Sequence, residues 1–296
     1  MGGATDDGAE AERRAILAEL DQALAESDAL VPLSEERFLK SHVLYEGRSA
    51  QQSRIVDWFA DHVEGNGQAP ASYRVLSVGC GSGVLDLAIL DRWQARLAAI
   101  EYTGVDPNAA ECEAFESAFA QADLDQVELE VVRGRFEEAL DGGSSFDLVH
   151  LVHCLYYMAD AAESLRQARA LCDGGGELVV FHAPCEALND LATRFYDKLY
   201  GRPTLFAREV EALLESWGWS FARHRVDAWV DITPLIDGPP EHPVGRALRD
   251  FIVQVDSQAL SAPVRSLVDR YLETIVRRAD GAALVAHPVD AFVIRG

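Results

Sequence analysis

Between Tyr73 and Ala183 short apolar runs alternate with longer stretches whose apolar residues recur every three to four positions. A brief apolar run between turn signals reads as a buried strand; the wider spacing reads as a helix with one face in a core. The pattern predicts strands at YRVLSV (73–78), EYTGV (101–105), VELEVV (127–132), FDLVHLV (146–152) and LVVFHA (178–183), the last entered from a glycine break, DGGGE. Helices are predicted at VLDLAILDRWQARL (84–97), AAECEAFESAFAQA (109–122) and AAESLRQARALC (161–172). Apolar strands separated by amphipathic helices make βαβ units, hence a doubly wound α/β sheet covered on both faces.

The flanks are less regular. Residues 1–30, rich in Ala, Glu and Asp, read as an exposed helix or a frayed tail. From Ser34, a candidate helix start, Phe38, Val43, Leu44, Ile55, Trp58 and Phe59 continue one helical pattern, which EGNGQAPAS closes as a loop. Beyond the sheet, AREVEALLESW is a helix ending at Trp217, because Gly218 can take the left-handed turn. WSFARHRV is a strand, ITPLIDGPPEHPVG a loop, RALRDFIVQV and PVRSLVDRYLETIVRRA helices, and DAFVIR a final, seventh strand. The chain divides on this basis into a tail (1–30), a helical cap (31–72), a core (73–182) and a segment that completes the sheet (183–296).

Composition narrows the partners. The 296 residues suffice for a large core, and no apolar run reaches the roughly 18 residues of a bilayer span. The polar, acidic start is wrong for a secretory signal, so a cytoplasmic location is expected. Five scattered cysteines without a CxxC argue against disulfides and zinc knuckles. A formal net charge of −23 disfavours nucleic acid and tolerates a cationic substrate.

The candidate chemistry begins with Gly79-Cys80-Gly81-Ser82-Gly83 after the first strand. A Walker loop needs a lysine that is absent, and Val84 stands where a dinucleotide fingerprint needs its third glycine. A serine elbow needs glycines where Cys80 and Val84 stand. Histidine spacings for a metal are missing. Asp106, at the end of the second strand, lies the right distance along the βαβ unit to take both hydroxyls of an unphosphorylated ribose.

The glycine loop, Asp106 and FDLVHLVHCLYYM together resemble the class I S-adenosylmethionine-dependent methyltransferases. Ser77 stands where many of these carry an acid. That LS-before-glycine form, with GVDPNAAECEAF, the double tyrosine, DITPLIDG and DAFVIRG, is similar to the histamine N-methyltransferase-like family from about Ser34 onward.

The resemblance implies a Rossmann-like, mostly parallel seven-stranded sheet and S-adenosylmethionine as donor, with S-adenosylhomocysteine as product. It assigns the donor to Gly79, Cys80, Gly81, Ser82, Gly83, Asp106, Pro107, Glu111, Phe136 and Val152. It assigns the substrate pocket to Tyr45, Tyr156 and Tyr157. Catalysis falls to Glu46, hydrogen-bonded to the acceptor, and to His153 or His287, which keeps the attacking atom neutral. The two histidines replace a family glutamine and asparagine. The implied enzyme methylates a small molecule at an imidazole or amine nitrogen, works without metal, nucleic acid or membrane, and is a monomer or weak homodimer. Oxygen or sulfur methylation of a natural product, or donor binding without turnover, are the alternatives.

Overall fold

The computed structural model describes residues 3–65, 72–139, 145–201 and 203–295. Most of the loop expected at EGNGQAPAS, and the last residue of DAFVIRG, lie outside them. Three helices come first: α1 (Gly3–Glu26), α2 (Glu35–Glu46) and α3 (Gln51–Gly65). The alternating core follows as β1 (Tyr73–Val78), α4 (Val84–Trp93), β2 (Ile100–Asp106), α5 (Ala109–Phe119), β3 (Val127–Arg133), the single turn α6 (Phe136–Ala139), β4 (Phe146–Val152), α7 (Ala161–Ala170) and β5 (Cys172–His182). Then come α8 (Leu188–Tyr200), α9 (Ala207–Ser216), β6 (Phe221–Val226), β7 (Trp229–Asp231), α10 (Thr233–Ile236), α11 (Pro243–Val253) and α12 (Ala262–Ile275). The chain closes with β8 (Arg277–Ala279), β9 (Ala282–Ala286) and β10 (Val289–Arg295).

These elements form two compact units. One, the sheet unit, comprises 52–183, 205–226 and 289–296; the other, the helical unit, comprises 1–51, 184–204 and 227–288. The contiguous segments expected from sequence are thereby interleaved.

The sheet unit holds seven strands in the order β3-β2-β1-β4-β5-β10-β6. β1 to β5 pair in parallel, and β10 runs antiparallel between β5 and β6. This is the expected class I methyltransferase topology. Leu76, Leu148, Val149, Val179, Phe181 and Phe292 are fully buried, as strands covered on both faces must be. Asn108 and Asp160 cap α5 and α7 by accepting from first-turn N–H groups. Trp217 ends α9 and Gly218 takes the left-handed turn. The expected glycine break is instead part of β5. A register shift between Phe146 and Leu148 absorbs the extra residues as a bulge.

The helical unit packs α1, α8, α11 and α12 around Leu20, Leu191, Phe195, Leu248, Val268 and Leu272. Its sheet is small, β7-β9-β8. Within the N-terminal segment the stretch 16–24 is helical and packed, because Ile16, Leu17, Leu20 and Leu24 form a buried stripe along α1. Ser34 caps α2 as expected, accepting from the Arg37 N–H. The continuous helix expected beyond it is broken at Gly47, because Ala50 N–H donates to Trp229 O and Asp231 N–H to Arg48 O. Those bonds divert residues 48–50 onto β7. Within the expected loop 232–245, Asp231 accepts from the Thr233 N–H and starts α10. The expected helix through Ala279 stops at Ile275 because Val276 is extended and β8 pairs with β9.

Candidate functional site

Leaving β1 the chain moves to β2 and β3, then returns to β4 on β1's other side. Ligands in open α/β sheets lie at such a reversal, outside the carboxyl ends of the strands. A cavity of about 460 Å³ opens there, and it brings together Gly79, Asp106, Pro107, Phe136, Val152, His153 and Tyr157. Val105, Asn108, Arg135, Glu137, Cys154 and Met158 complete the wall. Sequence reasoning passed over these six. Each of the six adjoins a named residue, Arg135 and Glu137 on either side of Phe136.

The glycine loop is a tight left-handed path. Gly79, Gly81 and Gly83 have φ of 72°, 53° and 71°. A Cβ on Gly83 would lie 2.0 Å from the Phe115 ring, so that glycine is required by packing beneath the loop. A Cβ on Gly81 would meet nothing within 4 Å, so its absence leaves space above the backbone. Asp106 ties the loop to β2: Oδ2 accepts from the Gly81 N–H at 3.0 Å and Oδ1 from the Asn108 N–H at 2.8 Å. Each carboxylate oxygen keeps a lone pair for a further donor, such as one hydroxyl of a ribose diol. Cys80 is buried, Ser82 half-buried in the turn, and Glu111 half-buried in the first turn of α5; none of the three lines the cavity.

His153 stands at the end of β4 with φ 51°, a region a non-glycine residue enters only under constraint. Its N–H donates to Phe181 O at 3.1 Å, which fixes the strand end. Tyr157 is 80% exposed at the cavity wall. Tyr156 turns inward instead. Its hydroxyl accepts from the Ala183 N–H at 3.2 Å, and its ring stacks on His182 with centroids 4.2 Å apart. Burial pushes the Tyr156 hydroxyl up. Burial, then the nearby His153, lowers His182 to about 3, so His182 is neutral at physiological pH.

The remaining candidates belong to the helical unit. Tyr45 and Glu46 end α2, and His287 follows β9. Tyr45 and His287, far apart in sequence, meet edge to face at 5.2 Å. His287 Nδ1 lies 3.0 Å from Ser49 Oγ, and its backbone O accepts from Gln51 Nε2. Glu46 Oε1 is 3.6 Å from His42 Nε2. Phe251, which no sequence signal marked, packs on Tyr45 at 4.6 Å and on His42 at 5.3 Å.

Comparison with known proteins agrees with this geometry. A family model described as a methyltransferase domain matches residues 36–233. The chain is 24% identical to histamine N-methyltransferase of Xenopus tropicalis over 255 residues, 77% of this chain and 83% of that one. It is 31% identical to the ubiquinone biosynthesis O-methyltransferase of Azorhizobium caulinodans over 107 residues, 36% and 39% of the two chains. Among solved structures, the plantazolicin methyltransferase BpumL in complex with SAH has a TM-score of 0.52 at 13% identity, covering 97% of this chain and 99% of that one. That likeness shows the fold.

Proposed function

The chain belongs to the methyltransferase domain family, and from that premise we propose that it carries a methyl group from S-adenosylmethionine to a nitrogen of a small amine or imidazole. The supporting observation is that Asp106 and His153 share one cavity wall at the ends of β2 and β4. The residues fit the donor. Asp106 has acceptor capacity for the ribose diol, Phe136 and Val152 offer apolar surface to the purine, and the bare backbone at Gly81 admits the amino-acid end. Gly79 and Pro107, on the same cavity, complete the proposed donor shell. When bound, S-adenosylmethionine supplies a methyl carbon made electrophilic by a cationic sulfur.

The chain's own residues supply alignment, exclusion of water and proton handling. Alignment in attack geometry contributes on the order of 7–11 kcal/mol. His153, held by its constrained backbone, takes the proton from the acceptor nitrogen or keeps that nitrogen unprotonated. Tyr157 presents its ring face to the acceptor, and Tyr156 braces the turn from inside. Replacing His153 by alanine is expected to lower turnover about 100-fold with little change in donor affinity measured by calorimetry. An unchanged rate removes His153 from the mechanism.

A second reading, methylation of oxygen or sulfur, is supported by the same imidazole, which can act as general base toward a hydroxyl or thiol. A labelled-donor screen of imidazoles, aliphatic amines, phenols and thiols separates the two.

A further inference from the structure

Beneath the glycine loop lies a buried polar cluster that donor contact leaves unused. Asp86, in the first turn of α4, is 3% exposed; His150 on β4 is 1% exposed; Tyr102 on β2 lies between them. The Tyr102 hydroxyl is 2.6 Å from Asp86 Oδ1 and 2.9 Å from His150 Nε2. One hydroxyl proton serves one acceptor, and an ionised carboxylate accepts only. Tyr102 therefore donates to Asp86 and accepts from His150 Nε2–H. The tautomer follows: His150 Nδ1 is the bare nitrogen, buried without a hydrogen-bond partner.

Asp86 is the acidic member of the cluster. His150 is neutral, since burial lowers it to about 4. Among the described residues Asp86 forms no ion pair, and it lies in the first turn of α4, at the positive end of the helix dipole. Position gives that charge a use. Asp86 follows Gly83 by three residues, Tyr102 precedes Asp106 by four, and His150 precedes His153 by three. Asp86 thus lies one helical turn after the glycine loop, and Tyr102 and His150 stand on the strands that lead to Asp106 and His153 at the cavity wall. The field of Asp86 reaches the loop, where it joins burial and Asp106 in pushing the Cys80 thiol up.

We propose that Asp86 is the fixed charge by which the sheet unit tells the methyl donor from its demethylated product. The proposal rests on the reading of this cavity as the donor site. Donor and product share the adenosine and the amino acid; the donor's sulfonium adds one positive charge that the thioether product lacks. A negative charge behind the loop, in a medium of low dielectric, holds the donor more tightly and favours product release.

Calorimetry of S-adenosylmethionine and S-adenosylhomocysteine on the full chain tests this through their affinity ratio. Asp86→Asn, nearly isosteric and still able to accept from Tyr102, is expected to weaken donor binding about tenfold and product binding less than about threefold. Equal losses for both ligands, or none, overturn the proposal. Should that variant fail to fold, Asp86→Ser carries the same comparison with the same two outcomes. Tyr102→Phe keeps the charge but removes its tether, so both ligands are expected to weaken by one factor. A ratio change there as large as in Asp86→Asn makes the hydroxyl the source and overturns the role of the charge. If the unaltered chain takes up neither ligand, the donor reading falls and the proposal with it.

Discussion

The two units are built by different routes. In the sheet unit each strand and helix up to β5 follows its neighbour in sequence, and the parallel ladders β1–β2, β2–β3 and β4–β5 join segments a few tens of residues apart. The helical unit collects three distant stretches, and its ties span the chain: Tyr271 Oη donates to Ala187 O, and Arg37 pairs with Asp250 and Asp256. A functional loop on the first unit therefore rests on local backbone geometry. The helical unit rests on long-range polar ties over an apolar core.

The sharpest test of this contrast is Gly83→Ala. The new Cβ would meet Phe115 at 2.0 Å in a left-handed conformation, so backbone and ring must both shift. A loss of about 3 kcal/mol and of measurable donor binding is expected, read by thermal melts and calorimetry. Full donor affinity in a folded variant would break the link between loop geometry and binding.

Acid separates the units by pH window. His150 and His182, both in the sheet unit, are lowered by burial to about 4 and about 3 from an ordinary 6.5. In the unfolded chain they take up protons as pH falls through 6.5, while the folded chain excludes them. Their contribution is therefore complete above about pH 6.5 and is lost progressively toward pH 4. The loss is on the order of 3 kcal/mol for His150. In the helical unit Asp256 is held below its ordinary range chiefly by its hydrogen bond from Arg37, so its contribution survives until pH falls below about 4. Melts from pH 7 to 4.5 should show the sheet unit weakening first. A flat profile over that range removes the buried histidines as its cause.

The smallest expected effect comes from Arg37→Met. Asp250 also accepts from Ser257 N–H and Oγ, so part of its shell survives when the guanidinium is lost. A partly exposed pair of this kind is expected to cost about 2 kcal/mol. Donor affinity should stay unchanged, because that site belongs to the other unit. A parallel fall in donor affinity would show that the two units are energetically coupled.

Legibility in the sequence follows the same division. β1 and β4 match their apolar runs residue for residue, and Gly79 and Asp106 line the cavity at the strand ends. Asp280-Gly281 was a readable hairpin signal, the pair that favours a two-residue turn with both φ positive; here they are 50° and 79° between β8 and β9. The helical run ahead of it masked the turn. α8 was likewise overlooked, although Leu188, Leu191 and Phe195 mark its buried face.

The amino-acid order alone determined the alternating sheet, the left-handed glycine turn and the acid beside it, because each depends on residues a few positions apart. Tertiary structure alone decided that Tyr45 meets His287, that Tyr156 turns inward while Tyr157 stays out, and that Asp86, Tyr102 and His150 share one buried set of hydrogen bonds. Side chains on separate elements acquire partners only when packing brings their faces together, and no local periodicity encodes which faces meet.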